Sequence, residues 1–185
     1  VQVDARYEKV RVDGHVVSQA VLVTIGFDSQ GKREVLDWRV GDSESESTWG
    51  DMFRSLKDRG LKGVKLLTSD AHSGIRAAIA RHFQGVRWQR CQVHFKRELA
   101  RKVSYKVAKE LISELNSVLA PENRDECLLR AEEMAVKWES RYPKAATMLR
   151  DGFEDCLAVL SFPEHHQRRL RSTNMLENLM RRLKK

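Results

Sequence analysis

The chain has 185 residues, 41% hydrophobic and 32% charged, with a net charge of +8. That length suits one domain, or one domain carrying a sizeable insertion, and no apolar run approaches a membrane span. Three widely spaced cysteines, Cys91, Cys127 and Cys156, do not make a disulfide framework and point to a reducing, cytoplasmic setting.

The charge is uneven. Residues 87–106 carry seven Lys/Arg against Glu98 alone, and residues 164–185 carry seven against Glu164 and Glu177. Concentrated positive potential of this kind suits a polyanionic partner; solvated helix faces are the plain alternative. Both ends fall inside periodic patterns, Val1 in an apolar one and Lys184-Lys185 in a helical one, so the chain reads as part of a longer protein.

In chain order, alternation from Val1 to Glu8 predicts a strand. Asp13-Gly14 signals a hairpin turn, and the apolar, β-branched run from Val16 to Phe27 predicts a well-buried second strand. Ser29 to Lys32 makes a turn, and Glu34 to Val40 a third strand. The period then changes to helical. Ser43 or Ser45 can cap a helix bearing Trp49, Met52, Phe53 and Leu56, which Gly60 ends. Val64 to Thr68 is a short apolar strand with Asp70 just past it. A helix capped by Ser73 and a fifth strand at Val86 to Gln89 follow.

From about Phe95 to Phe162 only helical patterns occur. Leu99, Val103, Val107, Leu111, Leu115 and Val118 form one long stripe. Pro121 and Pro163 interrupt the pattern, and a last helix begins near Asn174. The order predicts an α/β domain of RNase H-like type. Its features are a mixed five-stranded sheet, flanking helices and an all-helical insertion before the final helix. The expected division is a first core part at 1–94, the insertion at 95–163 and the last core part at 164–185.

Three carboxylates stand out. Asp4 is mid-strand, on the face opposite Val1, Val3 and Ala5, where burial of a charge is costly without compensation; an open face or a salt bridge to Arg6 is the alternative. Asp70 follows a strand end, where ligands of open α/β sheets gather, or it is a turn aspartate. Glu177 lies off the apolar arc of its helix, or it closes a capping box from Asn174, or it pairs with Arg181. Together they suit two hard cations, Mg²⁺ or Mn²⁺, which promote in-line phosphoryl displacement. Cys91-Gln92-Val93-His94 has the spacing of half a zinc site, but no second close pair follows. Support of an active-site wall is the expected role of Cys91 and His94. Arg90, Lys96, Arg97, Arg101, Lys102, Arg181 and Arg182 are the candidate DNA contacts within the basic segments.

Five stretches resemble the Mutator-type transposases, in particular their bacterial insertion-sequence branch: VDARYEKVR around Asp4, GDSESESTW at 41–49, LLTSDAHSGIRAAI around Asp70, WQRCQVHFKREL at 88–99 and RSTNMLENLMRRLKK at 171–185. The resemblance implies a DDE triad of Asp4, Asp70 and Glu177, a C-x-x-H motif at Cys91 and His94, and a helical insertion before the Glu. It also implies metal-dependent cleavage and strand transfer of a mobile element. The implied partners are double-stranded DNA, as element ends and target, and further copies of the chain, in the nucleoid and away from membranes. The family's N-terminal DNA-binding region and the segment after the last helix would lie outside this chain. An RNase H-like nuclease without strand transfer, taking a further carboxylate from Glu44 or Glu46, is one alternative. A non-catalytic DNA-binding or assembly module is the other.

Overall fold

A computed structural model describes residues 1–28, 30–120 and 123–183. Ser29 of the expected second turn, the break at Pro121 and the terminal Lys184-Lys185 lie outside the described residues. The strands are β1 (Gln2–Val12), β2 (His15–Phe27), β3 (Arg33–Gly41), β4 (Leu66–Ser69) and β5 (Arg87–Arg90). The helices are α1 (Glu46–Asp58), α2 (Ser73–His82), α3 (Gln92–Ala100), α4 (Tyr105–Val118), α5 (Arg124–Glu139), α6 (Pro143–Gly152), α7 (Glu164–Leu170) and α8 (Asn174–Leu183). The sheet order is β3-β2-β1-β4-β5. The β1–β2 and β2–β3 pairs are antiparallel and β1–β4 is parallel. This is the mixed sheet of an RNase H-like α/β fold, with an all-helical stretch before its final helix.

The chain forms two compact units, residues 1–88 with the segment from Ser172 onward, and residues 89–171. In the first, alternation sorts the strand residues to two faces. Val3, Ala20 and Leu22 pack with Trp49, Met52 and Phe53 of α1 and with Ile75, Ala78 and Ile79 of α2. Val23 and Ile25 face the other way, against Leu176 and Met180 of α8. The second unit buries Phe95, Leu99, Leu111, Leu115, Trp138 and Phe153 in a core of its own.

Local signals explain most boundaries. Asp13 and Gly14 both take positive φ, 48° and 82°, as a type I′ hairpin turn requires. Ser45 caps α1, its side chain accepting the Thr48 N–H at 3.1 Å. Helix α1 ends in a Schellman motif: Leu61 N donates to Leu56 O, Gly60 N donates to Lys57 O, and Gly60 has φ 99°.

Three expectations need correction. The run from Val16 is not buried throughout. Val16 is 61% exposed, because β1 and β2 pair out to Val12 and His15, beyond the residues the helices cover. The stripe from Leu99 to Val118 is two helices, since α3 ends at Ala100 and α4 begins after Ser104. Ser73 is the first residue of α2 and not its cap; His72 precedes it without a side-chain cap bond.

Gly74 lets two of the family-like stretches meet. A Cβ there would run into the backbone of Glu44, Ser45 and Glu46 at the entry to α1. Since backbone cannot move aside as a flexible side chain can, Gly74→Ala should lower stability by about 1–3 kcal/mol. Urea unfolding checks this, with the exposed Gln84→Ala as a control expected to stay within about 0.5 kcal/mol.

Candidate active site

The parallel pairing aligns Gln2 with Thr68. Strand β4 ends at Ser69, so Asp70 follows directly after the strand that pairs in parallel with β1. Asp4 is 5% exposed on the central strand. It lies on the Val23 face, being the direct partner of Val23 in the β1–β2 ladder. That is the face α8 covers through Leu176 and Met180. Glu177 therefore descends from α8 toward β1, and carboxylate oxygens of Asp4 and Glu177 lie within 4.8 Å of one another.

Both bland accounts of Glu177 lose their geometry. Thr173 O accepts from Leu176 N at 2.8 Å and from Glu177 N at 3.2 Å. Thr173 is thus the cap, and Glu177 stands one position beyond the place a capping box needs. Arg181 turns instead to Asn178 Oδ1 at 3.0 Å. A residue the sequence reading passed over positions the helix: buried Gln2 donates through Nε2 to Ser172 O at 2.8 Å, tying β1 to the segment entering α8. A glutamine on the buried face of an apolar strand is the signal that could have found it.

Asp70 sits in a turn. Its Oδ1 accepts the His72 N–H at 3.1 Å, while Ser69 Oγ donates to Asp70 O at 2.6 Å and accepts from Trp88 Nε1 at 2.9 Å. Arg76 stacks on the Trp88 ring at 4.3 Å. The strand end carrying Asp70 is therefore braced from β5 and α2. Among the described residues, Asp70 does not join the close group that holds Asp4 and Glu177. Glu44 and Glu46 join no such group among the described residues either, and Glu46 accepts from Arg81 at 3.4 Å.

In the second unit, Cys91 is buried and not part of a disulfide, immediately before α3, and His94 is half-buried in that helix. Among the described residues Cys91 belongs to no cluster of three candidate ligands. Burial pushes the Cys156 thiol well above the ordinary range, which keeps it protonated. The candidate DNA contacts divide. Arg97, Arg101, Lys102, Arg181 and Arg182 are exposed. Lys96 is half-buried, and its pKa is lowered by burial first and by Arg171 second. The Arg90 side chain is 11% exposed; it donates to Glu98 Oε2 at 2.8 Å and lies over the Phe95 ring at 4.8 Å.

The fold is that of an RNase H-like α/β domain, with the carboxylates of Asp4 on its central strand and Glu177 on its final helix close together. Residues 1–185 match the family described as Transposase, Mutator family, and the chain belongs to that family. It is 40% identical over 176 residues to the transposase for insertion sequence element ISRM5 of Rhizobium meliloti, covering 95% of this chain and 44% of that protein. It is 36% identical to the transposase for IS406 of Burkholderia multivorans, covering 98% and 47%. It is likewise 36% identical to the transposase for IS256 in transposon Tn4001 of Staphylococcus aureus, covering 95% and 45%. The chain spans somewhat less than half the length of these curated relatives.

Arg90 gives a direct test of which cations build the protein. Arg90→Ala should lower the stability to urea by about 1–3 kcal/mol, because it strips a charged hydrogen bond from Glu98. Lys102→Ala, at an exposed site, should change it by less than about 0.5 kcal/mol. Equal, small effects would return Arg90 to the surface set.

Proposed function

We propose that this chain is the catalytic core of a DNA transposase, with Asp4, Asp70 and Glu177 as its metal-binding triad. The observation that carries this reading is the approach of the Asp4 and Glu177 carboxylates; Asp70, just past the strand that pairs in parallel with β1, is the proposed third member. Close carboxylates, one of them buried on a central strand, fit a divalent cation. Hard oxygen ligands suit Mg²⁺ or Mn²⁺, and an ion between them replaces repulsion by coordination. Bound ions would supply an activated nucleophile and stabilisation of the leaving oxygen in an in-line displacement.

The protein's own part is positioning. Asp4 is held by its pairing with Val23 of β2, two residues past the Gln2–Thr68 pair with β4. Asp70 is held at the strand end by the Ser69–Trp88 contact and by the His72 N–H. Glu177 rides on α8, whose seat depends on Leu176, Met180 and the Gln2–Ser172 tie. In the proposed reaction, water attacks a phosphodiester at an element end and a 3′-hydroxyl leaves. That hydroxyl then attacks a target phosphodiester and displaces its 3′ oxygen. Exposed Arg97, Arg101, Lys102, Arg181 and Arg182 are proposed to hold the duplex backbone. Cys91 and His94 are proposed to support the wall of the site, and further copies of the chain to complete the assembly.

Asp→Asn and Glu→Gln keep shape and remove charge. Asp4→Asn, Asp70→Asn and Glu177→Gln should each reduce Mg²⁺-dependent cleavage and joining at least about a hundredfold, a loss of roughly 2.7 kcal/mol of transition-state stabilisation, while duplex binding stays near wild type. Cleavage of a labelled element end and a filter-binding titration read the two effects. Near-normal cleavage by Glu177→Gln would remove Glu177 from the triad.

A further inference from the structure

A cavity with a basic lining lies at the other end of β4. Its volume is about 360 Å³, and it opens where Leu61 to Val64 enter β4 and where His82 to Val86 follow α2. Its lining includes Lys57, Lys62, Arg81 and His82, and no acid. Lys57 is fixed in its wall: its ammonium donates to His82 O and lies 5.1 Å from the centroid of the Phe83 ring. Lys62 is exposed and makes no ion pair or hydrogen bond among the described residues. Gly63, also in the lining, has φ 68°, a left-handed backbone that favours glycine, with open space where a Cβ would be. Burial first, and then Lys57, Arg54 and Arg81, hold the His82 pKa below its ordinary value, with Glu46, the ion-pair partner of Arg81, opposing them.

Some of this charge has a simpler task. Lys57 lies in the last turn of α1, and Arg81 and His82 in the last turn of α2, where cations offset the helix dipole. That task does not extend to Lys62, nor to the neighbouring exposed Lys65, which stand beyond both helices. It leaves unexplained a concavity with cations on several sides and no carboxylate in its wall.

We propose that this cavity binds a backbone phosphate of duplex DNA at a point remote from the carboxylates. Val64 and Asp70 bracket β4, so the two sites are separated by roughly 20 Å at about 3.3 Å per strand residue. The choice of DNA as the source of the phosphate rests on the transposase reading; the cavity's preference for a phosphate oxyanion does not. A lysine and a glycine N–H recognise phosphate without reading sequence, so the site anchors the duplex and carries no base specificity.

The test combines two measurements on the whole chain. Amide shifts of Gly63 are followed by NMR during titration with a short duplex of arbitrary sequence, and separately with inorganic phosphate. The salt dependence of duplex binding is then compared for wild type, Lys62→Gln and Asp4→Asn. We expect the Gly63 amide to move with the duplex, and Lys62→Gln to lower the salt slope by about one. Asp4→Asn should leave that slope unchanged, which separates the result from the fate of the triad. Movement of Gly63 with inorganic phosphate alone overturns the assignment to DNA and leaves a small-anion pocket. An unmoved Gly63, or an unchanged slope in Lys62→Gln, overturns the site. Should cleavage persist in the triad variants, the catalytic reading falls while these measurements keep their meaning.

Discussion

The parallel pairing of β1 with β4 is the contact on which the candidate chemistry depends. A parallel neighbour cannot be reached by a tight turn; the chain must cross over. Here it does so through β2, β3 and α1 before returning at Leu66. That pairing, Gln2 against Thr68, brings the end of β4, with Asp70 just past it, beside the start of β1. A slip of one residue would turn the β4 side chains to the other face. Much of the first unit secures this register. Trp88 holds Ser69 from β5, Gly74 admits the α1 entry beside α2, and Met52 Sδ accepts the Thr24 hydroxyl at 3.2 Å behind the sheet.

Register alone would leave Asp4 on an open sheet. Helix α8 changes its character by covering the Val23–Ile25 face with Leu176 and Met180. A carboxylate 5% exposed is tolerated only when its lost hydration is compensated. Packing and chemistry are thus coupled. The apolar contacts that seat α8 also exclude water from Asp4 and deliver Glu177 to it. The partly buried pair then has a stronger electrostatic field than the same carboxylates would have on an exposed face.

Much of this was legible in the sequence because the signals were local. Asp13-Gly14 fixed its turn through left-handed dihedrals, Ser45 its cap, and the change from period two to helical spacing the passage from β3 to α1. Asp4, Asp70 and Glu177 could be singled out by residue type, place and resemblance. What stayed hidden needed tertiary knowledge. The apolar run from Val16 gives no hint that its first residues project past the covering helices. The stripe at Leu99 to Val118 keeps helical spacing across a break, because Val103 fits the period from either side. The cap of α8 lies one residue earlier than Asn174 because backbone hydrogen bonding, and not the better side chain, sets the start.

The charge pattern shows the same division between composition and placement. Counting Lys and Arg finds the dense segments but treats their members alike. In the second unit, Arg90 is spent on Glu98 and Phe95, and Lys96 is drawn below its ordinary pKa by burial beside Arg171. Arg97, Arg101 and Lys102 remain at the surface. Conversely, the cavity draws Lys57 and Lys62 from the stretch 54–65, which carries five Lys/Arg against Asp58 alone, and Arg81 from the end of α2. A cation that is itself buried against an ion-pair partner and a ring is poorly placed to meet a phosphate, whereas an exposed one displaces condensed counterions. The functional charge of this protein is therefore set by which cations the fold leaves exposed, and its net +8 includes arginines that serve the core.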